Sequence, residues 1–218
     1  MAPLILYHFP PSAPSRAALL AIRNLNLDVE VKEVNLFQKE QINPEFIKIN
    51  PQHCVPTMDD DGFVLWESRA IAQYLVESKA PDSGLYPSDI QERALTNQRL
   101  YFDLGTLYTR IRAICYPVLF LGETTIPEDK KKQLQEAFEW LNGFLEGRKW
   151  VAGDNLTIAD LSILASIASI IHVGADISEY KNLAAWYENC KSLPGFEEND
   201  EGAKVFGGAV KGKLKEGF

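Results

Sequence analysis

Apolar and polar positions follow two regimes along this chain: mixed strand and helix spacings over roughly the first eighty residues, and helical spacings beyond them. Residues 4–8 form a short apolar run that Pro10-Pro11 cuts off, which predicts a strand and then a turn. Residues 16–24 carry Ala17, Leu19, Leu20 and Ile22 in a helical cluster. Val29, Val31 and Val34 suggest a second strand, followed by a polar loop and a short helix over 44–49. Val55-Pro56-Thr57-Met58 and residues 63–66 flank the turn-forming Asp60-Asp61-Gly62 and read as a hairpin. Residues 67–77 close the unit as a helix. The order β-α-β-α-β-β-α predicts a small mixed sheet with helices against it.

Residues 79–88 hold Pro81, Gly84 and Pro87 among polar neighbours, the composition of a linker. Beyond them Leu100, Leu104, Leu107, Tyr108, Ile111, Ile114, Cys115 and Val118 recur at spacings of three and four, one long apolar stripe. Phe138, Leu141, Phe144 and Leu145 repeat the pattern. Thr157 and Asp160 have the spacing of a capping box, with Leu156 placed to staple onto Leu161. There are no internal repeats.

Composition narrows the partners. A formal charge of −8 argues against nucleic acid, because neutralising phosphates takes clustered Lys and Arg. The basic cluster 130–132 follows Pro127, Glu128 and Asp129 and reads as a solvated helix face. No apolar run reaches the roughly 18 residues of a membrane span, and the most apolar segment, 161–173, fits a buried helix ending at Gly174. The opening residues 1–8 lack a basic flank and are too short for the core of a signal sequence. Cys54, Cys115 and Cys190 are odd in number and widely spaced, and His8, His53 and His172 lack metal spacing. The expectation is a reduced, cytosolic protein with no metal, no bound cofactor and no membrane contact.

Three short stretches carry chemistry. Ser12-Ala13-Pro14-Ser15-Arg16 resembles the serine motif of the insect delta and epsilon glutathione transferases. Asn50-Pro51-Gln52-His53-Cys54-Val55-Pro56-Thr57 resembles that family's N-P-Q-H-x-V/I-P-T segment. Leu65-Trp66-Glu67-Ser68-Arg69-Ala70-Ile71 resembles its W-E-S-R-A-I segment, and the tryptophan favours the delta class. In order, with the capped helix behind them, they make the chain similar to the cytosolic glutathione transferases over nearly its whole length. The resemblance implies a thioredoxin-like α/β domain over 1–80, a linker over 81–88 and an all-helical domain over 89–218 that contributes an electrophile site. It also implies a two-fold homodimer, with Arg69, Arg99 and Tyr101 as candidate interface residues. Glutathione is then a co-substrate whose sulfur is transferred to small hydrophobic electrophiles, in xenobiotic detoxification.

Each motif has a physical reading. Ser12 lies between the first strand and the first helix, where its hydroxyl can stand at a helix N-terminus; by itself such a serine is ordinarily just a cap. A free thiol with a pKa near 8.5 is only about 3% ionised at neutral pH, and lowering it by about two units takes about 2.7 kcal/mol of preference for the anion. A hydrogen bond to a charged group supplies roughly 1.5–3 kcal/mol. The helix macrodipole adds roughly 0.3–1 kcal/mol. No general base is required. The resemblance makes Val55-Pro56 a cis-proline whose preceding residue, Val55, pairs its backbone with the cysteinyl part of glutathione. Ser68, at a helix start, suits the γ-glutamyl carboxylate. In the same reading Glu67 binds the α-ammonium group, Arg69 borders the site or the dimer axis, and His53, with Gln52 beside it, faces the glycyl end.

The chain departs from the delta pattern at Ser15, where cysteine is usual, and at Gln41, where histidine is usual. Ser15 reads as a tolerated small residue. Tyr7 raises the alternative of a tyrosine-activated thiol, but alignment puts His8 at that place, and neighbouring strand residues point to opposite faces. Tyr108, Ile111, Arg112, Tyr116, Phe120 and Phe206 are candidates for the electrophile site, since tyrosines and an arginine on an apolar face suit a half-open cleft. A non-catalytic ligand carrier on the same scaffold remains the alternative. A cysteine-based oxidoreductase does not, since the chain has no cysteine before Cys54.

Overall fold

The computed structural model describes residues 3–218; Met1 and Ala2, the start of the segment weighed above as a signal sequence, lie outside the described residues. Strand β1 (Leu4–His8) buries Leu4, Leu6 and His8 on one face. Helix α1 (Ala13–Asn24) follows, then β2 (Val29–Glu33), two short 3-10 turns, and α2 (Pro44–Ile49). A hairpin of β3 (Thr57–Asp60) and β4 (Phe63–Trp66) leads into α3 (Ser68–Lys79). The sheet runs β2-β1-β3-β4, with β1 parallel to β2 and the other pairs antiparallel. That is the mixed sheet of a thioredoxin-like unit. The hairpin turn is tighter than the expected tripeptide. Asp60 still pairs with Phe63, and only Asp61 and Gly62 turn, both at positive φ (53° and 91°), as a two-residue hairpin loop requires.

The second half is all helical: α4 (Ile90–Phe102), a π-helical turn (Asp103–Leu107), α5 (Tyr108–Phe120), α6 (Glu128–Phe144), α7 (Ile158–Val173), α8 (Lys181–Cys190) and α9 (Phe196–Lys211). Helix α7 is apolar nearly all round and forms the hub, packing against α1, α4 and α9. Asp160 anchors its start, accepting from the backbone N–H of Thr157 (2.9 Å) and of Val151 (2.9 Å) and from the indole N–H of Trp186 (3.0 Å). The capping box expected from Thr157 and Asp160 is therefore present. No helix among the described residues is long and apolar enough to cross a membrane.

Two expectations change. Leu104 does not join the buried stripe: the π turn inserts a residue into the helical period, carrying Leu104 outward to 41% exposure and Asp103 fully inward. Of the three residues expected at an interface, only Tyr101 is exposed. Arg99 is buried, with Nε donating to the Val151 carbonyl (2.9 Å) and the guanidinium 3.6 Å from the Phe144 ring centroid. Arg69 pairs with Asp103. Both cations found acceptors within the protomer.

Candidate active site

The turn after β1 sets the centre of the site. The Ser12 N–H donates to the Phe9 carbonyl (2.9 Å), and Ser12 caps α1 in an extended conformation. Its Oγ accepts from the Ser15 N–H at 3.4 Å, a long and therefore weak bond, so the cap leaves the hydroxyl proton free to donate elsewhere. Ser15 does more than fill space. It is fully buried, and its Oγ accepts from the Phe9 N–H (3.1 Å), closing the turn from behind. Pro14 pre-sets the first helical turn, which carries no acidic residue, so the positive end of the helix dipole stays unneutralised beside Ser12.

Next to this turn lies a cavity of about 140 Å³ lined by Pro14, Cys54, Val55, Pro56, Glu67, Ser68, Arg69, Leu104 and Tyr108. The Val55-Pro56 bond is cis. Asn50 holds the loop that carries it: its Nδ2 donates to the Cys54 carbonyl (3.2 Å) and to Thr57 Oγ1 (2.8 Å), while its Oδ1 accepts from the Gln52 N–H (2.9 Å). Glu67 caps α3 at φ 73°, a conformation unusual for a residue with a side chain. Ser68 is buried, and its hydroxyl has no hydrogen-bond partner. An orphan hydroxyl at a helix start, inside a cavity, is the arrangement an anion would complete. Gln52 and His53 are exposed and lie outside this wall, His53 at φ 44°. Gln41 is half-buried, and its Oε1 has no partner. Burial pushes the Cys54 thiol pKa up, the wrong direction for a nucleophile.

A larger cavity, of about 210 Å³, opens on the other side of Ser12. The structure gathers all six candidates, Tyr108, Ile111, Arg112, Tyr116, Phe120 and Phe206, around it together with Ser12. Tyr108 belongs to both walls and so marks where the two cavities meet. The guanidinium of Arg112 lies 4.6 Å from the Tyr116 ring centroid. Leu36 and Phe37 also line this cavity and were missed, because they sit in what reads as a polar loop; two apolar residues there were the available signal. Tyr7 lines neither cavity and packs edge-on against Phe46. His8 lines neither either and is buried.

Sequence reasoning also missed Asp103, Ser162 and Ser166. Asp103 is fully buried in the π turn and accepts from Arg69, from Ser162 Oγ (2.6 Å) and from Ser166 Oγ (2.8 Å). One carboxylate thus ties the start of α3, where Glu67 caps and Ser68 begins the helix, to α7. No local pattern announces this, since the partners are 34 to 63 residues apart.

Residues 2–77 match the family model described as "Glutathione S-transferase, N-terminal domain", and residues 114–194 match "Glutathione S-transferase, C-terminal domain". The structure is similar to that of glutathione S-transferase unclassified 2 from Bombyx mori, with 55% identity and a TM-score of 0.95 over 99% of this chain and 100% of that one. It is also similar to a delta-class glutathione transferase of Nilaparvata lugens, with 50% identity and a TM-score of 0.93 over 97% and 100%. Glutathione S-transferase D7 of Anopheles gambiae is 40% identical over 216 residues, 97% of this chain and 99% of that one.

Proposed function

The chain belongs to the glutathione S-transferase family, and on that premise we propose that Ser12 stabilises the glutathione thiolate for attack on hydrophobic electrophiles, in the manner of a delta-like detoxifying enzyme of the cytosol. The observation that carries this reading is the position of Ser12. Its hydroxyl proton is free, the positive end of α1 lies behind it, and it lines the larger, aromatic cavity beside the one that holds Glu67 and Ser68, the two meeting at Tyr108. Glutathione then lies across the smaller cavity and extends beyond it: the γ-glutamyl carboxylate at the Ser68 hydroxyl and helix N-terminus, the α-ammonium at Glu67, the cysteinyl backbone along Val55, and the glycyl end out toward Gln52 and His53. The thiol proton leaves to solvent and the thiolate forms a C–S bond with the electrophile, by addition or with departure of a leaving group. The electrophile occupies the aromatic cavity.

Ser12→Ala tests the assignment, in a conjugation assay with glutathione and a chromogenic aryl halide. It removes one hydrogen bond to an anion, so kcat/KM should fall about 10- to 150-fold. The bound thiol's pKa should rise by about one to two units, and part of the activity should return at alkaline pH. An unchanged rate and titration in Ser12→Ala, with both lost in Tyr7→Phe, would assign a tyrosine-type mechanism. Indifference to both changes would favour a carrier.

A further inference from the structure

Arg16 sits one helical turn after Ser12 and is 2% exposed. Its Nη1 donates to the carbonyls of Pro10 (3.0 Å) and Pro11 (2.9 Å). Its Nη2 donates to the Ala165 carbonyl (3.0 Å) and to the Ser169 hydroxyl, and its Nε donates to Asn199 Oδ1 (3.0 Å). Every acceptor is neutral. A buried charge is expensive unless paired, and here hydrogen bonds satisfy the guanidinium without cancelling it. Burial lowers its pKa to about 9, which leaves it cationic at neutral pH.

The identity of one partner sharpens the point. Asn199 is itself 2% exposed, and its Nδ2 has no hydrogen-bond partner. An aspartate has the same shape, would still accept from Nε and would neutralise the cation, with its second oxygen where the unpartnered Nδ2 now stands. The fold carries the amide instead. Gly202, one turn further along α9, lets that helix close over the charge. A Cβ there would come within 2.3 Å of the Pro10 carbonyl oxygen and 2.8 Å of Arg16 Cδ. The other titratable groups facing Arg16 are Tyr108, Tyr187, Asp200 and His8. Asp200 is already engaged by Lys204 and His172, and burial, with Arg16 beside it, keeps His8 neutral by lowering its pKa to about 4.

This cation lies directly behind the cavity wall, since Pro11 and Ser169, two of its partners, line the cavity that Ser12 opens into. We propose that Arg16 is a built-in counter-charge for the glutathione thiolate, a positioning residue that lowers the bound thiol's pKa through its field without touching substrate. The proposal rests on the Ser12 reading of the site. The guanidinium is buried behind the wall, so its field is screened little, and Asn199 is the residue that keeps it unneutralised.

The test is Asn199→Asp in the intact protein, with the thiol pKa read from the ultraviolet absorbance of the thiolate in the glutathione complex and from the pH profile of kcat/KM. The bound thiol's pKa should rise by about one unit. The rate at a pH near 6.5 should fall about 5-fold and recover to within about twofold above a pH near 9. The thermal midpoint should not drop. Asn199→Leu removes the same hydrogen bond without adding charge, and should leave the thiol pKa within about 0.3 unit. Arg16→Gln should shift it in the same direction as Asn199→Asp. An unmoved thiol pKa in folded Asn199→Asp, or an equal shift in Asn199→Leu, overturns the proposal. So does failure of Asn199→Asp to fold, because a carboxylate keeps the side chain's shape and the bond from Nε while pairing the buried cation. If Ser12→Ala shifts the titration and Asn199→Asp does not, this proposal alone falls; if neither shifts it, the Ser12 reading falls with it.

Discussion

Glu67 has a backbone at φ 73°, ψ 104°, a region that costs a non-glycine residue about 1–3 kcal/mol and persists only where the surroundings impose it. The strained residue lines the same cavity as Ser68, whose hydroxyl has no partner. Glu67→Ala keeps the strain and loses the carboxylate, whereas Glu67→Gly relieves the strain and loses it too. Both should raise the KM for glutathione more than they lower kcat, because a contact with the α-ammonium group is made in ground and transition state alike. The glycine variant should be more stable than the alanine one by about 1 kcal/mol in chemical denaturation. Unchanged glutathione affinity by calorimetry removes Glu67 from the site. Cys54 lines the same cavity, but burial disfavours its thiolate, and conjugation by Cys54→Ser should stay within a few-fold of wild type.

Among the elements, the break between α4 and α5 has the widest consequences. A regular helix through residues 100–118 would keep Leu104 on the apolar stripe and leave Asp103 elsewhere; the π turn instead drives Asp103 into the core. There it neutralises Arg69, whose own Nε has no partner, and draws in two serines of α7. Asp103→Asn leaves the half-buried Arg69 without its counter-charge; breaking a fully buried pair typically costs about 3–5 kcal/mol, and this one should cost somewhat less. Because Arg69 follows Ser68 directly, the loss should also loosen the start of α3. Calorimetry should show weaker glutathione binding, and urea denaturation a lower midpoint. Full stability with normal binding would mean that the bridge is incidental.

Two properties belong to the whole molecule. The first is pH dependence. Burial, reinforced by Arg16, lowers the His8 pKa from 6.5 to about 4. A depressed value means that stability present above a pH of 6.5 is lost as the pH falls toward 4, by about 3 kcal/mol at about 1.36 kcal/mol per unit. Asp160 works oppositely. Burial raises its pKa from 3.8 to about 6, so its contribution is complete below 3.8 and lost as the pH rises through 6. The two largely offset each other between those limits. His8→Leu should therefore lose less stability than wild type on acidification over this window, and Asp160→Asn should lose more, as urea titrations at each pH would reveal. The second property is assembly. A two-fold dimer should give light scattering at twice the 24.5 kDa chain mass, whereas a fully active monomer would rule it out.

The sequence by itself determined what is local: the order of strands and helices over roughly the first eighty residues, the helical character of the rest, the capping box of Thr157 and Asp160, and the three motifs that resemble a glutathione transferase. Periodicity and capping act over a few residues, so they survive in one dimension. The tertiary structure alone decided which charges are paired. Asp103 meets Arg69 and Ser166, and Arg16 meets Asn199 across 183 residues, because separate helices converge there. It decided too that Arg99 turns inward to Val151 and Phe144 while Tyr101 stays exposed. It also decided that Leu36 and Phe37, from a loop of the first domain, wall a cavity with Phe206 of the last helix. The strength of an electrostatic partnership depends on distance in space and on the water excluded between the partners, and neither is written in the spacing of residues along the chain.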